Sequence, residues 1–444
     1  MMAPAAGTIA STLRFPSASL VTVHPFLRQP DGDETVIGRA DTGTFLAVPT
    51  VALEILDQLA AGASVGEAQA TFQQRYGELP DLEDLLCHLE GKGLVALWGT
   101  APETAAEGAA TPPAPLRFHF ENFPLGWAQR LCGRHALTLY FTIIGAALVC
   151  VALDPVVLPG WQSLFSGTHL TAMMVMILTL HYGSLFFHEL AHLVAARAVG
   201  VSSRLGIGHR LWSLVAETDM SGLWGVPREK RYLPFLAGPL FDATWAAVLI
   251  LGLFGPRHHW WPLSGRGGDI LRAWLLICLL SLLWQCFLFV RTDFYYALSN
   301  FFGCKNLLGD TEEFLRAKAA ALLPWLRRRP LAPPPQRELR VVRFYSAAWI
   351  LGRMVALAVL IFIQLPLLGS YLMAVGSALA GGHRHPAAVV DALVMCVLVV
   401  GPKAAGAWLW LRGLVRARGE RKPTQPMRAA PAAANREQGG IGNA

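Results

Sequence analysis

The sequence predicts a mainly α-helical, polytopic membrane protein of about six spans, with a small soluble α+β domain near its N-terminus. Three observations point there. Of its 444 residues 54% are apolar and 15% charged, with a mean hydropathy of +0.42. Beyond Arg134 the apolar residues gather into long uncharged runs, and before residue 99 they recur instead in short amphipathic pieces separated by turns. A chain of this composition aggregates unless lipid takes up the excess, which excludes a disordered or nucleic-acid-tail class. The formal net charge of +7, from 37 Lys and Arg against 30 Asp and Glu, is small for the length and reads as loop charge. Seven cysteines form no Cys-x-x-Cys pair, so neither a disulfide framework nor a cysteine zinc site is expected.

Residues 1–32 read as an N-terminal extension without the basic-then-apolar pattern of a cleaved signal peptide. Residues 33–98 form the small domain. It has an extended piece from Thr35 to Ile37, a turn at Asp41 and Gly43, and a strand from Thr44 to Val48. Three helices follow, carrying Leu53, Leu56 and Leu59, then Ala68, Phe72 and Tyr76, then Leu82, Leu85, Leu86 and Leu89 at three-to-four spacing. Gly62, Gly77 and Gly93 sit where those helices should stop. Residues 99–116, rich in Ala, Thr, Pro, Gly and Glu, read as a flexible linker.

Residues 117–412 form the membrane domain. Spans are expected near Leu137 to Leu153, Leu170 to Val199, Tyr232 to Phe254, Ala273 to Val290, Met354 to Met373 and Val389 to Leu411. Each offers roughly 17 to 25 helical residues, enough to cross a hydrocarbon core. Asp391 and Lys403 interrupt the last, and residues 413–444 read as a disordered basic tail. Basic residues favour alternate loops. Arg204, Arg210, Arg228, Lys230 and Arg231 lie between the second and third spans, and a long basic segment from Arg291 to Arg343 follows the fourth. The opposite loops carry none, then Arg257 and Arg266, then Arg384. This bias places both termini on the cytoplasmic side of a cell (inner) membrane.

The second span contains His188-Glu189-Leu190-Ala191-His192. Two histidines four apart project from one helix face, so both imidazoles can reach one metal ion, and Glu189 can serve a metal-activated water as general base. Chance places such a pattern in a chain this long on the order of 0.01 times. The bland reading is a pair of hydrogen-bonded core histidines, but an ionisable Glu189 in a lipid-spanning helix is expensive and marks a functional candidate. A catalytic metal wants a third protein ligand, and Asp293, just past the fourth uncharged run, is the main candidate. Counting inward from the outer boundaries near His169 and Arg272, at about 1.5 Å per residue, brings His188, His192 and Asp293 level within a few ångströms. Glu217, Asp219 and His209 are rival ligands, and a salt bridge from Asp293 to Arg291 is the competing role.

With Leu236-Ala237-Gly238-Pro239 early in the third span, these residues resemble the site-2 protease family of intramembrane zinc metallopeptidases over about Arg134 to Asn300. The resemblance implies a Zn2+ held by His188, His192 and Asp293, with Glu189 catalytic. It also implies a helix broken at Gly238 and Pro239 beside the metal, where a freed carbonyl could meet substrate, and a membrane-dipping hairpin after the motif helix. A plain kink is the alternative for Gly238 and Pro239. The family commonly sets its third ligand in Leu-Asp-Gly or Asn-Pro-x-x-Asp-Gly; here it stands in Thr292-Asp293-Phe294. Asp242, four residues after Gly238, either hydrogen-bonds substrate or pairs with Arg353.

The small domain, through Thr42-Gly43-Thr44-Phe45-Leu46, Ile55 to Leu59 with Gly62, Tyr76, and Leu86 to Val95, resembles the PqqD-like winged-helix fold that binds peptide leader segments. A DNA-reading winged helix is disfavoured, because residues 33–98 set three Lys and Arg against eleven Asp and Glu. His181, two turns before His188, is either a support for the site or a packing residue. His258, His259, His383 and His385 fall in outer loops and lack the boxes of a di-iron desaturase. The expectation is therefore a membrane zinc endopeptidase, with a non-catalytic membrane peptide-binding or export component as the alternative. Its partners would be a peptide or membrane-protein substrate and the lipid bilayer, together with a possible accessory protein and no nucleic acid.

Overall fold

The computed structural model describes residues 14–32, 34–39, 44–98, 123–164, 170–210, 213–304, 306–322 and 336–366, and scattered positions from 369 to 412. The expected linker, the sixth span as a continuous element, and the tail lie outside these residues. So does the turn at Asp41 and Gly43.

The small domain runs β1 (Val21–Val23), β2 (Leu27–Asp31), β3 (Glu34–Arg39), β4 (Thr44–Pro49), α1 (Ala52–Ala60), α2 (Val65–Tyr76), α3 (Leu82–Glu90) and β5 (Val95–Leu97). Strands β2, β3 and β4 form an antiparallel sheet in that order, and β1 pairs with β5. The three helices arise where the apolar periodicity places them. Their inner faces, Ile55, Leu56, Leu59, Ala68, Leu82, Leu86 and Leu89, close one core with Ile37 and Val48. Ser64 and Glu67 form a reciprocal capping box at the start of α2, and Gly77, at φ +73°, ends it in the left-handed conformation a side chain resists. The unit begins earlier than residue 33. Phe15 and Val21 are core residues, and β2 is an edge of the sheet, so much of the expected extension belongs to the domain. These strands are short and lack a clean alternating pattern, so only their pairing with distant partners identifies them.

Five described helices are long and apolar enough to cross a membrane, so the chain is a helical membrane protein. They are α5 (Arg134–Leu153), preceded by the short α4 (Leu125–Leu131); α6 (Leu170–Ala198); α7 (Arg228–Arg257); α8 (Gly265–Gln285); and α11 (Gln336–Val359). Between α6 and α7 lie a hairpin, β6 (Arg204–Arg210) with β7 (Ser213–Asp219), and a single tight turn, Ser221–Gly225. Helices α9 (Asp293–Phe302) and α10 (Leu307–Leu322) occupy the segment read as a loop after the fourth span.

Two span boundaries move. α8 stops at Gln285, short of the expected Val290, because the Thr292 hydroxyl bonds the Gln285 carbonyl at 3.0 Å and restarts the chain as α9. The fifth helix begins well before Met354. Its first turns, interrupted by Arg340 and Arg343, still bury Val342 and Tyr345 against α9 and α10. Hydropathy marks where lipid begins, and a helix can begin earlier.

Helix α7 is the most enclosed of the five and packs against α5, α6, α8 and α9. Ala246, Ala247, Leu249, Ile250 and Leu253 on its C-terminal half meet α5 and α8. Phe241 stacks on Phe187 of α6 at 6.0 Å between centroids, and Phe235 on Tyr296 of α9 at 5.7 Å. These stacks hold α6, α7 and α9 together around the polar residues they share.

Candidate metal centre

His188, Glu189 and His192 lie on α6 and are all buried, as are Asp242 on α7 and Asp293 at the first position of α9. Burial of this many ionisable groups within an apolar bundle is costly. An intramembrane carboxylate costs roughly 2.5–3.5 kcal/mol on insertion scales, while a hydrogen bond returns only about 0.5–1.5 kcal/mol net. The arrangement therefore weakens the fold unless something binds there.

Each imidazole is held at Nδ1. His192 Nδ1 donates to the Pro234 carbonyl at 2.7 Å. A carbonyl only accepts, so the proton sits on Nδ1. His188 Nδ1 meets Asp242 Oδ2 at 2.9 Å, and the same oxygen accepts from Ser281 of α8 at 2.7 Å. Both Nε2 atoms are thereby directed to one point, the arrangement that outer carboxylates and carbonyls impose on metal-binding histidines.

Asp293 completes that point. Its Oδ2 lies 3.0 Å from His188 Nε2 and 3.3 Å from His192 Nε2, and the two Nε2 atoms are 3.2 Å apart. The three residues form a group able to hold a metal ion. Asp293 is positioned by its own backbone N–H, which donates to Gln285 Oε1 at 3.0 Å, and by the Thr292 cap of α9.

The expected break at Gly238 and Pro239 does not occur, since α7 runs unbroken through both with Pro239 inside the helix; Gly238 instead supplies the floor. A Cβ at this position would fall 2.4 Å from each Nε2, inside any tolerable contact. Pro234, Gly238 and Asp242 recur every four residues and so share one face of α7. That face runs antiparallel to the His192 and His188 pair: Pro234 holds one ring, Asp242 the other, and Gly238 leaves the space between them. The donor set and this space both suit a metal ion.

Glu189 is held by Thr218 on β7, whose hydroxyl lies 2.7 Å from Glu189 Oε2 and 3.0 Å from the Glu189 backbone oxygen. The hairpin after the motif helix thus touches the general-base candidate directly.

The structure brings His188, His192 and Asp293 together, as the sequence expectation has it, but not by an unbroken fourth span. The chain breaks after Gln285, and a new helix presents Asp293. Asp242 contacts His188 and Ser281, while Arg353 pairs with Glu312 at 3.6 Å. His181 stands outside the group, beside Tyr182. The side chains of Glu217, Asp219 and His209 lie outside the described residues. Thr218, Gln285, Ser281 and the Pro234 carbonyl carry no motif that sequence reading could detect. Gly238 carried one, a small residue before proline in a span, though its use as clearance for two imidazoles needs the packed neighbour. No protein-family model, curated protein or solved structure matches the chain.

Two substitutions test the arrangement. Gly238→Ala should abolish metal retention while leaving the protein membrane-inserted, measured as metal per chain after purification. Asp242→Asn should leave His188 in place with a weaker acceptor and lower metal affinity by roughly 10- to 100-fold, measured by competition with a chromophoric chelator.

Proposed function

We propose that the protein is a membrane-embedded zinc endopeptidase of the site-2 type, in which His188, His192 and Asp293 hold the metal and Glu189 moves the proton. The observation that carries this reading is the triangle of two Nε2 atoms and one carboxylate oxygen with sides of 3.0, 3.2 and 3.3 Å. Zinc bonds of about 2.0–2.1 Å place tetrahedral ligands about 3.3 Å apart, and three protein ligands leave one position open. When bound, the ion supplies Lewis acidity, acidifying a water and polarising a scissile carbonyl.

The chain's own residues do the rest. Asp242 and Pro234 keep both imidazoles in the ligating tautomer. Glu189 takes a proton from the attacking water at its carboxylate and delivers it to the departing amine, the role expected of a carboxylate beside the metal ligands. Thr218 orients that carboxylate. The β6–β7 hairpin offers strand edges to which an extended peptide could add, and intramembrane peptide bonds must leave helical form before hydrolysis.

The small domain supports peptide handling. Its three helices on an antiparallel sheet suit a winged-helix-like, PqqD-like module, and its acidic balance disfavours nucleic acid. With the basic loops inward, both termini and this domain are cytoplasmic in the cell membrane. The substrate is a peptide or membrane protein presented from that side, with an accessory protein as a further partner.

Mass spectrometry of peptide termini in membranes of cells expressing the wild type or Glu189→Gln tests the reading. The wild type should generate new termini that fall by at least about 100-fold in the variant, with metal content unchanged. Equal termini from both proteins would instead favour the non-catalytic carrier or export role.

A further inference from the structure

The segment linking β7 to α7 holds the metal motif at both ends: Thr218 contacts Glu189, and the Pro234 carbonyl holds His192. Its middle is gripped by the small domain. The Ser221–Gly225 turn packs on all three strands of the β2–β3–β4 sheet. In register, Leu27, Gly38 and Phe45 form one row across that sheet. Gly38 has no side chain, so Phe45 lies over it; a Cβ there would meet the ring at 2.3 Å. Gly225 then seats on the row, its own Cβ position 3.0 Å from Phe45 and 3.7 Å from Leu27. Two glycines thus permit a close apolar fit between the domain and the membrane unit.

A buried ion pair accompanies this fit. Asp31, at the end of β2, lies 3.3 Å from Arg231 and 3.5 Å from Arg228, with Arg231 and Asp31 side chains only 1% and 7% exposed. Arg231 also donates to the Val226 and Trp224 carbonyls and stacks over the Trp224 ring. Both arginines occupy the first turn of α7, the end of a helix that disfavours cations. Asp31 offsets that charge. Arg228 reaches further, donating to the Asn300 carbonyl, while the Asn300 amide donates to the Arg228 carbonyl at 3.0 Å. Asn300 lies on α9, the helix that begins with Asp293.

We infer that the small domain is a positioning element of the metal centre: Asp31, through Arg231 and Arg228, and the Leu27–Gly38–Phe45 row, through Gly225, hold the segment and helix starts that set Glu189, His192 and Asp293. Undocking the domain leaves the buried Arg231 and the half-buried Arg228 at the start of α7 without their anion and releases the turn between Thr218 and Pro234. Docking of the small domain is thereby coupled to the geometry of the site. This inference rests on the zinc-site reading above.

The test uses full-length protein in nanodiscs, with Zn2+ affinity read by chelator competition and ligand geometry read from the visible d–d bands of the Co2+ form. Asp31→Asn and Gly225→Leu break the interface at separate points. Each should weaken Zn2+ binding by roughly tenfold and change the Co2+ bands. Ser64→Ala, which weakens α2 without touching the interface, should leave both readings at wild-type values. The inference is overturned if both interface variants bind Zn2+ within about twofold of wild type with unchanged bands, or if Ser64→Ala shifts them equally. A wild type that takes up neither ion would remove the zinc reading itself, and this inference with it.

Discussion

The structure depends on where two imidazoles place their protons. With Nδ1 of His192 donating to Pro234 and Nδ1 of His188 held by Asp242, both Nε2 atoms face the gap over Gly238, and a metal there requires their lone pairs. Reversing either tautomer would aim a proton at the ligand position and leave an acceptor unpaired in an apolar bundle. Helix α7 imposes this choice by repeating Pro234, Gly238 and Asp242 on one face. Its prolines, which would weaken an isolated helix, are tolerated because neighbouring helices enclose it.

Energetic magnitudes favour function over fold as the reason for this cluster. The core of the small domain around Ile37 and the stack of Phe235 on Tyr296 are apolar contacts that involve no ligating atom. Three buried carboxylates, Glu189, Asp242 and Asp293, by contrast, each carry an insertion cost that hydrogen bonds of ordinary strength offset only in part. A cation bound among Asp293 and the two Nε2 atoms would offset that cost, because all three would ligate it.

The periodic features were legible in the sequence. Amphipathic spacing found α1, α2 and α3, uncharged length found α5 to α8, and the spacing of His188 and His192 found the heart of the site. Contacts made across the chain were not. Asp242 reads as a partner of substrate or of Arg353, yet its partner is His188, on the preceding span. Thr218 is one polar residue among several in a short hairpin, and Asp31 meets Arg231 from 200 positions away. The early strands escaped for the same reason: β1 is defined by β5, from which the whole helical part of the domain separates it. The break at Gln285 was hidden because the apolar run continues through Val290, and only the Thr292 and Gln285 contacts reveal where the helix ends.

The most direct measurement is X-ray absorption at the zinc edge of the purified, zinc-loaded protein. The account predicts a low-coordinate shell of nitrogen and oxygen at about 2.0–2.1 Å, with the outer scattering of two imidazoles, which falls to one in His188→Ala. Thiolate scattering at about 2.3 Å, or a shell without imidazole that is the same in wild type and variant, would contradict it.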